Sequence, residues 1–146
     1  MTNRRPLEIL MVEDNASDVR LAQEAFKEGR IPNNLHVVRD GVEAMAFLRR
    51  QSKYANAARP DLIFLDLNLP RKDGREVLAE IKSDSDLIRI PVVVLTTSRA
   101  QMDIFQSYDL HANCYIVKPI DLDEFIKVIQ SIGNFWFSTA TLPTLT

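Results

Sequence analysis

Several absences bound this 146-residue chain before any motif is read. It has a single cysteine, Cys114, so an internal disulfide and a multi-cysteine metal site are both excluded. A reducing compartment suits such a chain. Its histidines, His36 and His111, have no Cys or His at ligand spacing and read as incidental. Glycine is scarce, with four in all, and no glycine-rich phosphate loop occurs. No apolar run approaches the roughly 20 residues that cross a bilayer. The polar stretch Met1 to Pro6 lacks a signal-peptide core. An excess of positive charge is missing too: the net charge is −2 and the pI about 5.7. Binding to nucleic acid or to an anionic membrane needs clustered Lys and Arg, so neither is expected as a partner. The expected location is the cytoplasm.

What is present is ordinary for a globular protein, with 46% hydrophobic and 26% charged residues. The length suits one domain over 1–146, with a core at about 7–132 and an extended C-terminal helix and tail at about 133–146.

Short apolar runs alternate with segments of helical period, the pattern of βαβ units on a parallel sheet. The strand runs are Ile9 to Val12, Leu35 to Val38, Leu62 to Asp66, Val92 to Thr96 and Cys114 to Val117. Asn15 is the expected N-cap of the first helix, which Gly29 and Pro32 should end. Asp40 and Glu43 have capping-box spacing, as do Ser98 and Gln101, and Asp121 and Glu124. Gln51 to Asp61 reads as a polar loop, and Arg71-Lys72 as a solvated turn. Continuous apolar strands imply helices on both faces. The expected fold is therefore α/β, a doubly wound, flavodoxin-like five-stranded parallel sheet of order 2-1-3-4-5. That order sets the carboxyl ends of the first and third strands side by side, where ligands bind.

The strand ends then decide the chemistry. Glu13-Asp14, Asp66, Thr96-Thr97 and Lys118-Pro119 all converge on one edge of such a sheet. Clustered carboxylates repel, by about 4 kcal/mol per pair at 4 Å near a protein surface. A hard divalent cation offsets this. Mg²⁺ is the expected cofactor, on Asp14, Asp66 and the backbone carbonyl of Asn68, with Glu13 acting through water. Lys118 can pair with Asp66 and then with a phosphoryl oxygen, and the Thr96 hydroxyl can donate to another. A carboxylate can attack phosphorus and form an aspartyl phosphate, and Asp66 fits best as that nucleophile. Alone, Asp14 or Asp66 would be a solvated carboxylate, Lys118 a surface lysine, and Thr96 or Tyr115 a plain strand residue. The constellation carries the argument.

With these residues placed, the chain resembles the response-regulator receiver family. The likeness rests on Glu13-Asp14, Leu65-Asp-Leu-Asn-Leu-Pro70, Asp73-Gly74, Thr96, and Tyr115 three residues before Lys118-Pro119. It covers about 7–132. Within the family, Asp66 to Leu78, Ile90 to Ser98 and the Phe135-Trp136 tail are most similar to the small regulators of cyanobacterial phytochromes. The resemblance implies phosphotransfer to Asp66 from a sensor histidine kinase of phytochrome type. It also implies a Thr96–Tyr115 switch acting on the surface of the fourth helix, fifth strand and last helix. Two features depart from the family pattern: the length of Gln51 to Asp61, and Thr97 where a smaller pocket residue is common. Thr97 is expected to slow the access of water or small phosphodonors.

Phe135, Trp136 and Phe137 cannot all face one core, so a homodimer contact is expected there. Phe105 and Tyr108 read first as packing residues and second as partner surface. A downstream protein partner is expected but not named by the sequence. Two other functions compete. An aspartyl-nucleophile phosphatase commonly needs a second Asp two residues on, where Asn68 stands. A phosphorylation-independent interaction domain would have lost Asp66, Lys118 or the acidic pair. A flavin-binding version of the fold is disfavoured, because Glu13-Asp14 repels an anionic phosphate.

Overall fold

The computed structural model describes residues 5–97, 114–119 and 121–141, with side chains as far as residue 134. Its elements run β1 (Leu7–Val12), α1 (Ala16–Gly29), β2 (Asn33–Val38), α2 (Gly41–Leu48), a 3-10 turn (Ser52–Tyr54), β3 (Leu62–Asp66), α3 (Gly74–Ser83), β4 (Val92–Thr96), β5 (Cys114–Val117) and α4 (Leu122–Thr141). The helix expected from Ser98, with Phe105 and Tyr108, lies outside the described residues. The strands form one parallel sheet in the order β2-β1-β3-β4-β5.

The strands are apolar throughout because both faces are covered. Alternate residues of β1 enter different cores. Leu10 and Val12 join Ile63, Leu65, Val92 and Val94 beneath α2 and α3, through Ala44, Phe47, Val77, Leu78 and Ile81. Leu7, Ile9 and Met11 join Phe64, Val93 and Leu95 beneath α1 and α4, through Ala22, Phe26, Phe125 and Ile129. On that second face, Phe64 stands edge-on to Phe26 at 6.0 Å and to Phe125 at 5.5 Å. Such aromatic pairs contribute about 1 kcal/mol beyond their buried area.

The helix starts follow side-chain capping. Asn15 Oδ1 accepts from the backbone N–H groups of Ser17 and Asp18, and Asp73 Oδ1 accepts from that of Arg75. Asp40 caps α2 by accepting from the Glu43 N–H. The box expected there is half made, because the Glu43 carboxylate turns outward to Tyr54 and Lys53. That contact ties the 3-10 turn to α2, so Gln51 to Asp61 is not wholly irregular. Tyr54 also packs on Phe47, at 5.2 Å between ring centres.

Other local expectations shift. α1 does end at Gly29, and Arg30 just beyond it takes the left-handed conformation, with φ 55°. Its N–H reaches the carbonyls of Phe26 and Lys27. β1 and β2 each begin two residues earlier than the apolar runs indicate. Cys114 is half-buried in β5. Arg71 and Lys72 are engaged: Arg71 donates to Asp40 at 3.4 Å, and Lys72 pairs with Glu80.

Candidate functional site

The parallel ladder delivers the acidic residues to one edge. The Glu13 N–H bonds the Val38 carbonyl, the Leu67 N–H that of Leu95, and the Lys118 N–H that of Thr96. Three of the four strand pairs are thus held up to the residue where the site begins. β3 ends at Asp66, and Thr96 of β4 stands in register with Val117, next to Lys118. The Lys118–Pro119 peptide bond is cis.

Glu13, Asp14 and Asp66 form a cluster in which one carboxylate oxygen from each lies within 4.8 Å of the others. Glu13 and Asp66 are buried, whereas Asp14 is exposed and opens the cluster to solvent. A cleft of about 360 Å³ adjoins Glu13 and Asp14, with Arg20 and Arg39 among its walls. Burial, followed by the hydrogen bond with Asp66, pushes the Glu13 carboxyl up to about 7. The donor set is all oxygen and open on one side. It fits a hard cation that keeps part of its water, as Mg²⁺ does.

Lys118 brings an ammonium to the acidic cluster. Its ammonium donates to Glu13 Oε1 at 2.7 Å and to Asp66 Oδ2 at 3.1 Å. It also reaches Asp18 Oδ2 at 2.7 Å. Burial alone would lower the lysine pKa, but the hydrogen bonds that the ammonium donates to Asp18 and Glu13 outweigh it, and the pKa is raised. Lys118 is therefore charged at neutral pH. Asp18, in the first turn of α1, was not among the candidate site residues read from the sequence.

Asn68 follows β3, two residues after Asp66. Its backbone N–H donates to Asp66 Oδ1 at 2.9 Å, and its side-chain amide donates to Thr97 Oγ1 at 3.1 Å. Thr97 is exposed, while Thr96 beside it is buried. Tyr115 is half-buried in β5, opposite Val94, and packs against the α2–α3 core. The structure thus brings together Glu13, Asp14, Asp66, Asn68, Thr96, Thr97 and Lys118 at the carboxyl edge of the sheet, with Tyr115 three residues before Lys118. Phe135 and Trp136 fall within α4, where only the backbone is described. Phe105 and Tyr108 lie outside the described residues.

Known proteins share this fold and much of this sequence. Residues 9–130 match the model of the response regulator receiver domain. The chain belongs to this family. The receiver is 56% identical to the response regulator Rcp1 of Synechocystis sp., over 94% of each chain. It is similar to the phosphorylated cyanobacterial phytochrome response regulator RcpA, with a TM-score of 0.79 and 59% identity over 92% of this chain and 96% of that one. It is similar as well to the Mn²⁺-bound form of Rcp1, with a TM-score of 0.78 and 56% identity over 90% of this chain and 94% of that one. The receiver is accordingly a two-component signalling module, related to phytochrome response regulators. No helix among the described residues is long and apolar enough to cross a membrane.

Proposed function

We propose that this receiver accepts a phosphoryl group on Asp66 from a phytochrome-type sensor histidine kinase, with Mg²⁺ bound beside it, and signals by changing its surface. The observation that carries the reading is the ammonium of Lys118 lodged among Glu13, Asp18 and Asp66, at the open acidic cluster. An incoming phosphoryl group bears negative charge and needs neutralisation and alignment more than covalent help.

Glu13, Asp14, Asp66 and the Asn68 carbonyl would hold the ion, which supplies charge neutralisation. Asp66 is the nucleophile. Asn68 holds one Asp66 oxygen through its backbone N–H, which leaves the other beside Lys118. Lys118 then pairs with a phosphoryl oxygen, and the Thr96 hydroxyl donates to another. The Thr96–Tyr115 pair transmits the change to the helix expected from Ser98, to β5 and to α4, by shifting an existing equilibrium between two surfaces.

The receiver catalyses only its own phosphorylation and dephosphorylation, and works in the cytoplasm. Its core and its C-terminal helix form one domain. Phe135 and Trp136 make a homodimer contact on the far part of α4, and Phe105 and Tyr108 extend the partner surface. The likeness to RcpA, a cyanobacterial phytochrome response regulator, supports the choice of kinase.

The test is phosphotransfer from a phosphorylated phytochrome-type histidine kinase, with and without Mg²⁺. Wild type should take the label only with the ion, and Asp66→Asn should not take it. Labelling of Asp66→Asn at the wild-type level defeats the reading.

A further inference from the structure

The fourth carboxylate in the pocket has no part in the cation cluster. Glu13, Asp14 and Asp66 form the trio able to share an ion, and Asp18 stands apart from it. Asp18 instead makes one of the two shortest ion pairs of Lys118, at 2.7 Å, against 3.1 Å for Asp66. An ammonium has three donors, and the three carboxylates match them in number. Lys118 and Asp18 are both largely shielded, with side chains 9% and 19% exposed, so solvent screens this pair less than a surface one. Asp18 is itself fixed, because Asn15 Oδ1 accepts from its backbone N–H at 3.2 Å in the first turn of α1.

We propose that Asp18 is a positioning residue for phosphoryl capture: it holds the Lys118 ammonium in place when the other two carboxylates are drawn to a cation. The inference rests on the proposed role of Asp66. A divalent ion competes with the ammonium for Glu13 and Asp66, and repels it. Asp18 is the remaining anchor. Without it, the four-carbon stem of Lys118 regains rotamers, and the ammonium spends less time where the incoming charge arrives. In the step itself an Asp66 oxygen forms a bond to phosphorus. The bond from phosphorus to the donor's leaving atom, the imidazole nitrogen of a phosphohistidine or the bridging oxygen of acetyl phosphate, breaks, and the departing group keeps that electron pair. Lys118 stays protonated and donates to a phosphoryl oxygen.

The experiment uses the full chain, saturating Mg²⁺ and acetyl phosphate as donor, and measures the rate of phosphoryl capture. Asp18→Asn should slow capture about tenfold, the loss expected of one charge-assisted hydrogen bond of partly exposed groups. Asp18→Glu should restore most of the rate. In a Lys118→Ala background, Asp18→Asn should add no further loss, which separates positioning from a general structural effect. If the Lys118→Ala rate is too low to read, the Asp18→Glu rescue decides alone. Capture by Asp18→Asn at or above the wild-type rate overturns the proposal, as does a fully additive loss without Lys118, or no rescue by Glu. Asp66→Asn is run beside these. Capture by that variant sinks the phosphoacceptor assignment, whereas its loss together with an unaffected Asp18→Asn sinks only the positioning role.

Discussion

The side-chain amide of Asn68 donates to the hydroxyl of Thr97 at 3.1 Å, joining the loop after β3 to the end of β4. The same Asn68 holds Asp66 through its backbone N–H. A strap from the end of β3 to the end of β4 therefore starts next to the proposed phosphoacceptor. Thr97→Ala removes the acceptor of this bond and loosens the strap. A hydrogen bond of this kind is worth about 1 kcal/mol, or roughly fivefold in a rate. Thr97→Ala is expected to take up acetyl phosphate faster and to lose its phosphoryl group faster, each by about that factor. Uptake and decay both equal to wild type would remove the strap from the account.

Two glycines are required by close approach of backbone. A Cβ on Gly74 would overlap the Asp66 carbonyl oxygen, and one on Gly41 the Lys72 carbonyl oxygen. Neither obstacle can swing aside, because each belongs to the main chain. A Cβ on Gly133 meets mainly the Cδ1 end of Ile31, which can rotate away. Gly74→Ala and Gly41→Ala are each expected to lower stability by about 3 kcal/mol, in the range of overpacking. Gly133→Ala should cost under about 1 kcal/mol, since alanine also favours a helix interior. Urea denaturation of the three variants checks the order. A Gly133→Ala loss as large as that of Gly74→Ala would contradict it.

The sheet order and the gathering of Glu13, Asp14, Asp66, Thr96 and Lys118 were legible because parallel βαβ strands leave few topologies, and strand-end residues share one edge. Contacts made by long side chains were not. Asp18 reaching Lys118, Arg71 reaching Asp40 and Glu43 turning to Tyr54 instead of closing its capping box depend on tertiary neighbours that spacing does not reveal. That Arg30, a non-glycine, takes the left-handed position just after α1 was not legible either, because helix-stop signals do not resolve single residues.

Tyr54 offers a check by pH. Burial first, and then its hydrogen bond to the Glu43 carboxylate, push the phenol up to about 12 from 10.0. A raised pKa in the folded chain means that the neutral phenol is favoured there. Its contribution to stability is complete below about 10 and is lost as the pH climbs through about 12. The stability gap between wild type and Tyr54→Phe should be constant from pH 7 to 9 and close above pH 10. An absorbance titration should show a tyrosinate step near pH 12 that Tyr54→Phe lacks. Persistence of that step in the variant would assign it to another tyrosine.

Lys118 separates the metal-free and metal-bound balances of the same pocket. Its ammonium neutralises part of Glu13, Asp18 and Asp66, and all four side chains are largely or wholly shielded. Lys118→Ala leaves buried carboxylates without that cation, a change that costs about 3 kcal/mol where one partner of a buried ion pair is removed. The metal-free variant should therefore melt well below wild type. The lost positive charge also stops repelling a divalent ion at the neighbouring oxygens. Mg²⁺ should then bind the variant about tenfold more tightly, and raise its melting temperature more than it raises that of wild type. Melting curves in chelator and in increasing Mg²⁺ read both effects together. An equal Mg²⁺-induced rise in the two proteins would show that the ammonium and the ion do not compete for these carboxylates.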